Sequence, residues 1–123
     1  MGCEFRLENK TLIITGSGVV QWIPEKLKRQ FTSVVFDGEF TEIGNDAFFE
    51  CFGLESIEIP NGVKRIGDFA FYRCNSLKNV TIPDGLEEIK RCAFYRCTDL
   101  ESINMPDSVI EIGTSAFFEC NRL

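Results

Sequence analysis

From Leu54 to Asp99 the chain writes one phrase twice, LESIEIPNGVKRIGDFAFYRCNS and then LKNVTIPDGLEEIKRCAFYRCTD, a period of 23 residues. The same ruler carried forward gives LESINMPDSVIEIGTSAFFECNR from Leu100 to Arg122, and carried backward it gives FTSVVFDGEFTEIGNDAFFECFG from Phe31 to Gly53. A fixed period in the twenties confines the fold to a solenoid. Each unit is one supersecondary piece that cannot bury its apolar face alone and does so by stacking on its neighbours.

Within a unit the apolar positions are constant: Leu54, Ile57, Ile59, Val63, Ile66, Ala70, Phe71 and Cys74 in the second, with counterparts in the others. The alternation Ile57-x-Ile59 is the period of a strand. Pro60, Pro83 and Pro106 stop that strand in three of the four units, and the Asn61-Gly62, Asp84-Gly85 and Asp107-Ser108 pairs behind them supply turn chemistry. A second extended piece follows, such as Val63 to Ile66. Gly44, Gly67 and Gly113 mark the next corner, where Lys90 departs from the pattern. The AF-x-x-C segment then places Phe71 and Cys74 three residues apart, the spacing of one helical turn capped by Asp68 or Thr114. Stacking such units predicts strands aligned as one parallel sheet down a face of the solenoid.

Residues 1–30 read as a degenerate zeroth unit that caps four repeats over 31–123. Phe5 to Leu7 and Thr11 to Thr15 alternate about an Asn9-Lys10 corner, as in a hairpin. Gly16-Ser17-Gly18 is expected to break the pattern. Val20, Ile23 and Leu27, with Pro24 in the first turn and Lys26, Lys28 and Arg29 at the C-terminal end, predict a short helix over Val19 to Gln30, and Trp22 is placed over the first stack as part of the lid.

The formal charge of −6 and pI near 4.7 argue against nucleic acid and anionic membrane as partners, since both demand a basic footprint. The charge is uneven: residues 1–30 hold five Lys/Arg against three Asp/Glu, and the remainder eight against sixteen. No apolar run is long enough to span a membrane. The opening MGCEFRLENK lacks the pattern of a secretory signal, and Met1-Gly2-Cys3 is not an acylation signal because Arg6 stands where Ser or Thr is required.

Six cysteines in a short chain suggest a disulfide framework, but Cys51, Cys74, Cys97 and Cys120 recur at the repeat period and read as small buried hydrophobes. Thiols in such number favour a reducing compartment or deep burial. Cys92 and Cys97 have no second pair and no histidine to complete a zinc site. The absence of histidine from the whole chain also removes the commonest general base and the usual activation of Ser and Cys nucleophiles. The acids Glu87, Glu88 and Glu111 read as solvating, and no glycine-rich loop has phosphate-binding spacing. No catalytic residue, cofactor or metal is expected.

The string L-x-x-I-x-I-P-x-x-V-x-x-I-x-x-x-A-F-x-x-C resembles the 23-residue leucine-rich repeat of the BspA-like class, and TLIITGSG, Leu12 to Gly18 with its leading Thr11, resembles the strand and turn that often precede such arrays. The departures are Phe36-Asp37 in place of Ile-Pro and Lys90 in place of Gly. The resemblance implies an α/β leucine-rich-repeat solenoid, with short helical turns opposite the sheet and a hairpin plus helix at its N-terminus. It further implies a non-catalytic binding module, commonly an adhesin at the cell surface or secreted. That location stands against the compartment the thiols favour.

Strand positions between the inward residues form two columns on the far face of the sheet: Ser33, Ser56, Asn79 and Ser102, then Val35, Glu58, Thr81 and Asn104. They are either a floor for a protein or glycan ligand or a solvated sheet face. A third column, Phe49, Tyr72, Tyr95 and Phe118, forms either a half-buried stacking ladder or a second recognition stripe. Beside it run Glu50, Arg73, Arg96 and Glu119. The last unit has no following repeat, so Ile103, Met105, Val109, Ile112 and Phe117 are expected to lie open and to join a second copy through the C-terminal repeat. The competing reading is a self-assembling scaffold or a piece of a longer array without its own ligand.

Overall fold

The computed structural model describes residues 2–123; Met1, the first residue of the Met1-Gly2-Cys3 triplet, lies outside them. Its strands are β1 (Cys3–Glu8), β2 (Thr11–Val20), β3 (Ser33–Ile43), β4 (Ser56–Glu58), β5 (Arg65–Ile66), β6 (Asn79–Thr81), β7 (Glu88–Ile89), β8 (Ser102–Ile103) and β9 (Glu111–Ile112). They form two sheets. A six-stranded one runs β1-β2-β3-β5-β7-β9 and a three-stranded one runs β4-β6-β8. All neighbours are parallel except the hairpin β1-β2, which turns at Asn9 with φ 58°.

The second, third and fourth units thus each contribute a strand to both sheets, with proline and turn between them. Ser56, Asn79 and Ser102 pair along one sheet, and Arg65, Glu88 and Glu111 along the other. The first unit differs. Asp37 stands where later units have proline, its N–H does not interrupt the ladder, and β3 runs through the corner as one strand of 11 residues. β2 does the same. Gly16-Ser17-Gly18, expected to break the strand, lie inside it, and the ladder absorbs only a bulge between Gly18 and Val19. Gly16 is paired with Gly38; a Cβ on Gly38 would strike the Gly16 carbonyl oxygen, and one on Gly16 would strike Gly2 and Cys3, so each glycine permits the close approach of the strand on one side of it.

The inner face holds one core running the length of the chain. Leu12, Ile14, Ile23, Phe48, Leu54, Phe71, Leu77, Phe94 and Leu100 are all completely buried. Phe48, Phe71, Phe94 and Phe117 stack with ring centroids 5.0, 5.0 and 5.3 Å apart and planes within 3° of parallel. This spacing is that of strands in a ladder, so the rings repeat in step with the backbone.

Among the described residues, the helical turn expected in each AF-x-x-C segment and the helix expected in the cap are both absent. The AF-x-x-C segment is a succession of tight turns in which main-chain bonds alternate in direction. The N–H groups of Ala47, Phe49 and Cys51 bond three residues back at 3.2 Å, while those of Asp46, Phe48 and Glu50 donate to Asp68, Ala70 and Tyr72 of the next coil at 2.7 to 3.0 Å. A helix would point its N–H groups along its own axis and leave the coils unjoined there. The alternation requires left-handed backbone at two non-glycine residues per unit: Asp46 and Glu50, Phe69 and Arg73, Cys92 and Arg96, Ser115 and Glu119, with φ from 55 to 61°. Each costs about 1 kcal/mol or more, offset by bonds to the neighbouring coil.

Residues 19–30 likewise hold only a single 3-10 turn, Glu25–Leu27, instead of the expected cap helix. Pro24 at its start is extended (ψ 140°), and the Ile23 N–H is drawn to the carbonyl of Ala47 at 2.9 Å, so the segment is laid down as another solenoid coil. Trp22 is 65% exposed and does not cover the stack. Cys3, Phe5 and Leu7 of β1 pack against the core at that end.

Candidate binding surfaces

The two polar columns lie where strand alternation places them. Ser33 and Val35 are on β3, Ser56 and Glu58 on β4, Asn79 and Thr81 on β6, Ser102 on β8, and Asn104 just beyond it. Ser33 is half-buried and the other seven are exposed. Each column is a register line of the ladder, with Ser56 beside Asn79 beside Ser102, and Glu58 beside Thr81. Their side chains are partly engaged with one another. Ser102 Oγ bonds Asn79 Oδ1 at 2.8 Å, and the Thr11 and Ser33 hydroxyls lie 3.1 Å apart. Asn104 is held more firmly, its carboxamide bonded to both the N–H and the carbonyl of Ile82.

On the opposite rim Phe49, Tyr72, Tyr95 and Phe118 stack continuously, with centroids 4.7, 5.2 and 4.8 Å apart. The first three are half-buried and Phe118 is 43% exposed. Aromatic faces are therefore spent on one another, and mainly edges meet water. Glu50 pairs with Arg73 at 3.3 Å and Arg96 with Glu119 at 2.8 Å, leaving the two arginines adjacent in the middle. Such exposed pairs contribute about 0–1 kcal/mol.

The sequence reading missed Lys28. Its side chain is buried, its Nζ donates to the Phe49 carbonyl at 2.6 Å, and it sits 5.3 Å from the Phe49 ring, pinning the N-terminal coil to the aromatic rim. Nothing local distinguishes it from Lys26 or Arg29. The cysteine column also does more than fill space. Cys74, Cys97 and Cys120 each donate Sγ–H to the carbonyl of the Phe 26 residues earlier, at 3.0 Å. Burial pushes the Cys51 thiol up to about 12 and raises Cys74, Cys97 and Cys120 as well, so these groups stay protonated and unreactive at neutral pH. All six cysteines are free.

Among the described residues no group of three or more His, Cys, Asp or Glu is placed to hold a metal ion, and no helix is long and apolar enough to cross a membrane.

Coils of 23 residues, paired strand to strand around a leucine, isoleucine and phenylalanine core, define a leucine-rich repeat solenoid. The chain belongs to the BspA-type leucine-rich repeat family, whose repeat it matches in six copies over residues 26–123. Among solved structures it is similar to the leucine-rich repeat protein of T. pallidum, at 27% identity and a TM-score of 0.69 over 98% of this chain and 66% of that one. It is also similar to a leucine-rich cell surface protein from Faecalibacterium prausnitzii A2-165, at 34% identity and a TM-score of 0.66 over 98% of this chain and 33% of that one. A leucine-rich repeat protein of Bacteroides ovatus shares 32% identity and a TM-score of 0.65 over 95% of this chain and 31% of its own. The chain spans from about a third to two thirds of the length of these structures. A comparison with curated proteins finds no match.

Proposed function

We propose that the chain is a non-catalytic protein-interaction or adhesion module that binds a protein or glycan through the three-stranded sheet face, with residues 1–30 as its N-terminal cap. The observation that carries this is the floor itself: Ser56, Asn79 and Ser102 beside Glu58, Thr81 and Asn104 lie exposed in register on a rigid ladder. A preformed array of short side chains loses little conformational entropy when covered. Solenoids use such sheets as extended contact areas. The Faecalibacterium relative is described as a cell surface protein, a setting that suits adhesion. The test is affinity capture with wild type and with a variant bearing lysine at Ser56, Asn79 and Ser102. A partner held by the wild type and lost by the variant, with the variant's melting curve unchanged, supports the reading; identical capture by both contradicts it.

A second reading is self-assembly, favoured by apolar exposure on the fourth unit. Ile110 is 80% exposed, Ile112 51% and Met105 42%, beside the edge strands β8 and β9. On this reading two copies join through their C-terminal repeats.

A further inference from the structure

The two sheets part company between the first and second units. β3 pairs with β2 from Ser33 to Ile43, yet on its other side it joins β5 only through Glu42 and Ile43, and no strand register links it to β4. Main-chain bonds close the gap at both ends, Glu55 N–H to the Thr32 carbonyl at 2.8 Å and Lys64 N–H to the Thr41 carbonyl at 2.9 Å. Between them the chains diverge for a reason written in the sequence. The first unit runs straight on through Phe36-Asp37, while the second turns at Pro60-Asn61-Gly62, where Gly62 has φ 98°.

The divergence opens a fissure into the core. Val34 and Phe36 occupy the positions that Ile57 and Ile59 hold in the second unit, exposed 3% and 4%, and that Val80 and Ile82 hold in the third, exposed 3% and 2%. Val34 and Phe36 are instead only half-buried. A cavity of about 560 Å³ lies over them, walled by Val35, Phe36, Ile59, Pro60 and Pro83 with Glu58 and Asp84 among its polar groups. A second of about 350 Å³ shares Val34, Glu58 and Thr81 with it. Val35 is 50% exposed and is the one apolar member of its column.

The charged groups that line the fissure are carboxylates, with the Lys64 ammonium outside the lining, beside Gly85. Neither cavity has a lysine or arginine in its lining, and among the described residues Glu58 and Asp84 are in no salt bridge. The apolar walls accept a side chain laid across the sheet face, and the carboxylates call for a cation next to it. We propose that this fissure docks an extended peptide segment of a partner protein, seating an apolar side chain against Val35, Phe36 and Pro60 while an adjacent lysine or arginine meets Glu58 and Asp84. The proposal rests on the sheet-face reading and adds to it the place and the chemistry.

The test uses two capped synthetic hexapeptides, one with leucine followed by lysine and one with glutamate in place of that lysine, plus a neutral oligosaccharide, maltohexaose. Each is titrated into the ¹⁵N-labelled chain and followed by amide resonances. The lysine peptide should shift Val35, Glu58, Asn61, Thr81 and Asp84 saturably, and the glutamate peptide should bind about tenfold more weakly, corresponding to one charge reversed. In a Glu58→Gln, Asp84→Asn double variant the preference between the peptides should disappear with the fold intact. Equal response to both peptides, response to the oligosaccharide alone, or silence at these amides overturns the proposal. Shifts confined to Ser102 and Asn104 overturn it while leaving the broader sheet-face reading standing.

Discussion

The carboxamide of Asn104 clasps the main chain of Ile82, Oδ1 accepting from its N–H at 2.8 Å and Nδ2 donating to its carbonyl at 2.9 Å. One coil earlier the equivalent N–H, that of Ile59, donates to the main-chain carbonyl of Thr81 at 2.9 Å. Translated by a repeat, that bond would end on the Asn104 carbonyl. β8 stops at Ile103, and the Asn104 side chain does what the strand no longer does. A residue placed in the floor by alternation is thus also a fastener of the sheet edge.

Asn104→Ala should therefore lower stability by about 1–2 kcal/mol, the net worth of two hydrogen bonds on a half-exposed strand. Hydrogen exchange at the Ile82 amide should accelerate more than exchange at Ile59. Uniform acceleration, or none, would show that the clasp is incidental.

Phe71 stacks between Phe48 and Phe94, whereas Phe117 has a ring on one side only and is half-buried. Phe71→Ala should cost about 3–5 kcal/mol, and Phe117→Ala distinctly less. Urea melts of the two variants decide it; equal losses would contradict a core that depends on stacking from both faces.

The thiol column makes stability depend on alkaline pH. An unfolded thiol titrates at about 8.5, while burial holds folded Cys51 at about 12 and raises Cys74 and Cys97. Because these folded values lie above the unfolded one, their stabilisation is whole below about pH 8.5 and is lost as pH climbs toward 12. The urea midpoint should fall over that window, and less steeply in Cys74→Ala. In the native state at neutral pH, iodoacetamide should modify the half-buried Cys3 quickly and Cys74 and Cys97 slowly, as read by mass spectrometry.

Gly38→Ala should destabilise the cap by about 2 kcal/mol or more, since the new methyl would meet the Gly16 carbonyl and the backbone there sits at φ 148°. Circular dichroism melts compare it with Gly18→Ala, whose Cβ would meet no atom within 4 Å although its φ is 81°. The Gly18 variant should lose less.

If copies join through the fourth unit, sedimentation should show mass rising with concentration, and Met105→Glu should abolish the rise. A wild type that stays monomeric at high concentration, or an assembly indifferent to Met105→Glu, removes that reading.

The solenoid, its inward residues and its exposed columns were legible because they follow from a period and from alternation, both local properties. The helices were misread for a definite reason. Phe71 and Cys74 lie three apart in a helix and equally in successive tight turns, and what selects the turns is the bond from Phe71 N–H to Ala93 on another coil. Val20, Ile23 and Leu27 mislead similarly, since the pull of Ala47 on Ile23 is not written between Val19 and Gln30. The fissure was half-visible. Phe36-Asp37 stood out as a departure from Ile-Pro, but its effect depends on where Pro60 turns the coil beside it.

The alternating bonds of the turns give the molecule a grammar of length. Phe48 donates to Ala70, Phe71 to Ala93 and Phe94 to Ala116, so every coil offers the same acceptors to whichever coil precedes it. Excision of Leu77 through Asp99 would present Ala116 to Phe71 and the Phe117 ring to its face, and the array would close up one turn shorter with its ends unaltered. Removal of one residue fewer would throw each later side chain out of phase with its neighbour unless a bulge took up the difference, as one does between Gly18 and Val19. A gene for such a chain grows or shrinks most readily by duplication in steps of 23 codons, which change the number of coils and leave the pairing of each with its neighbour as it was.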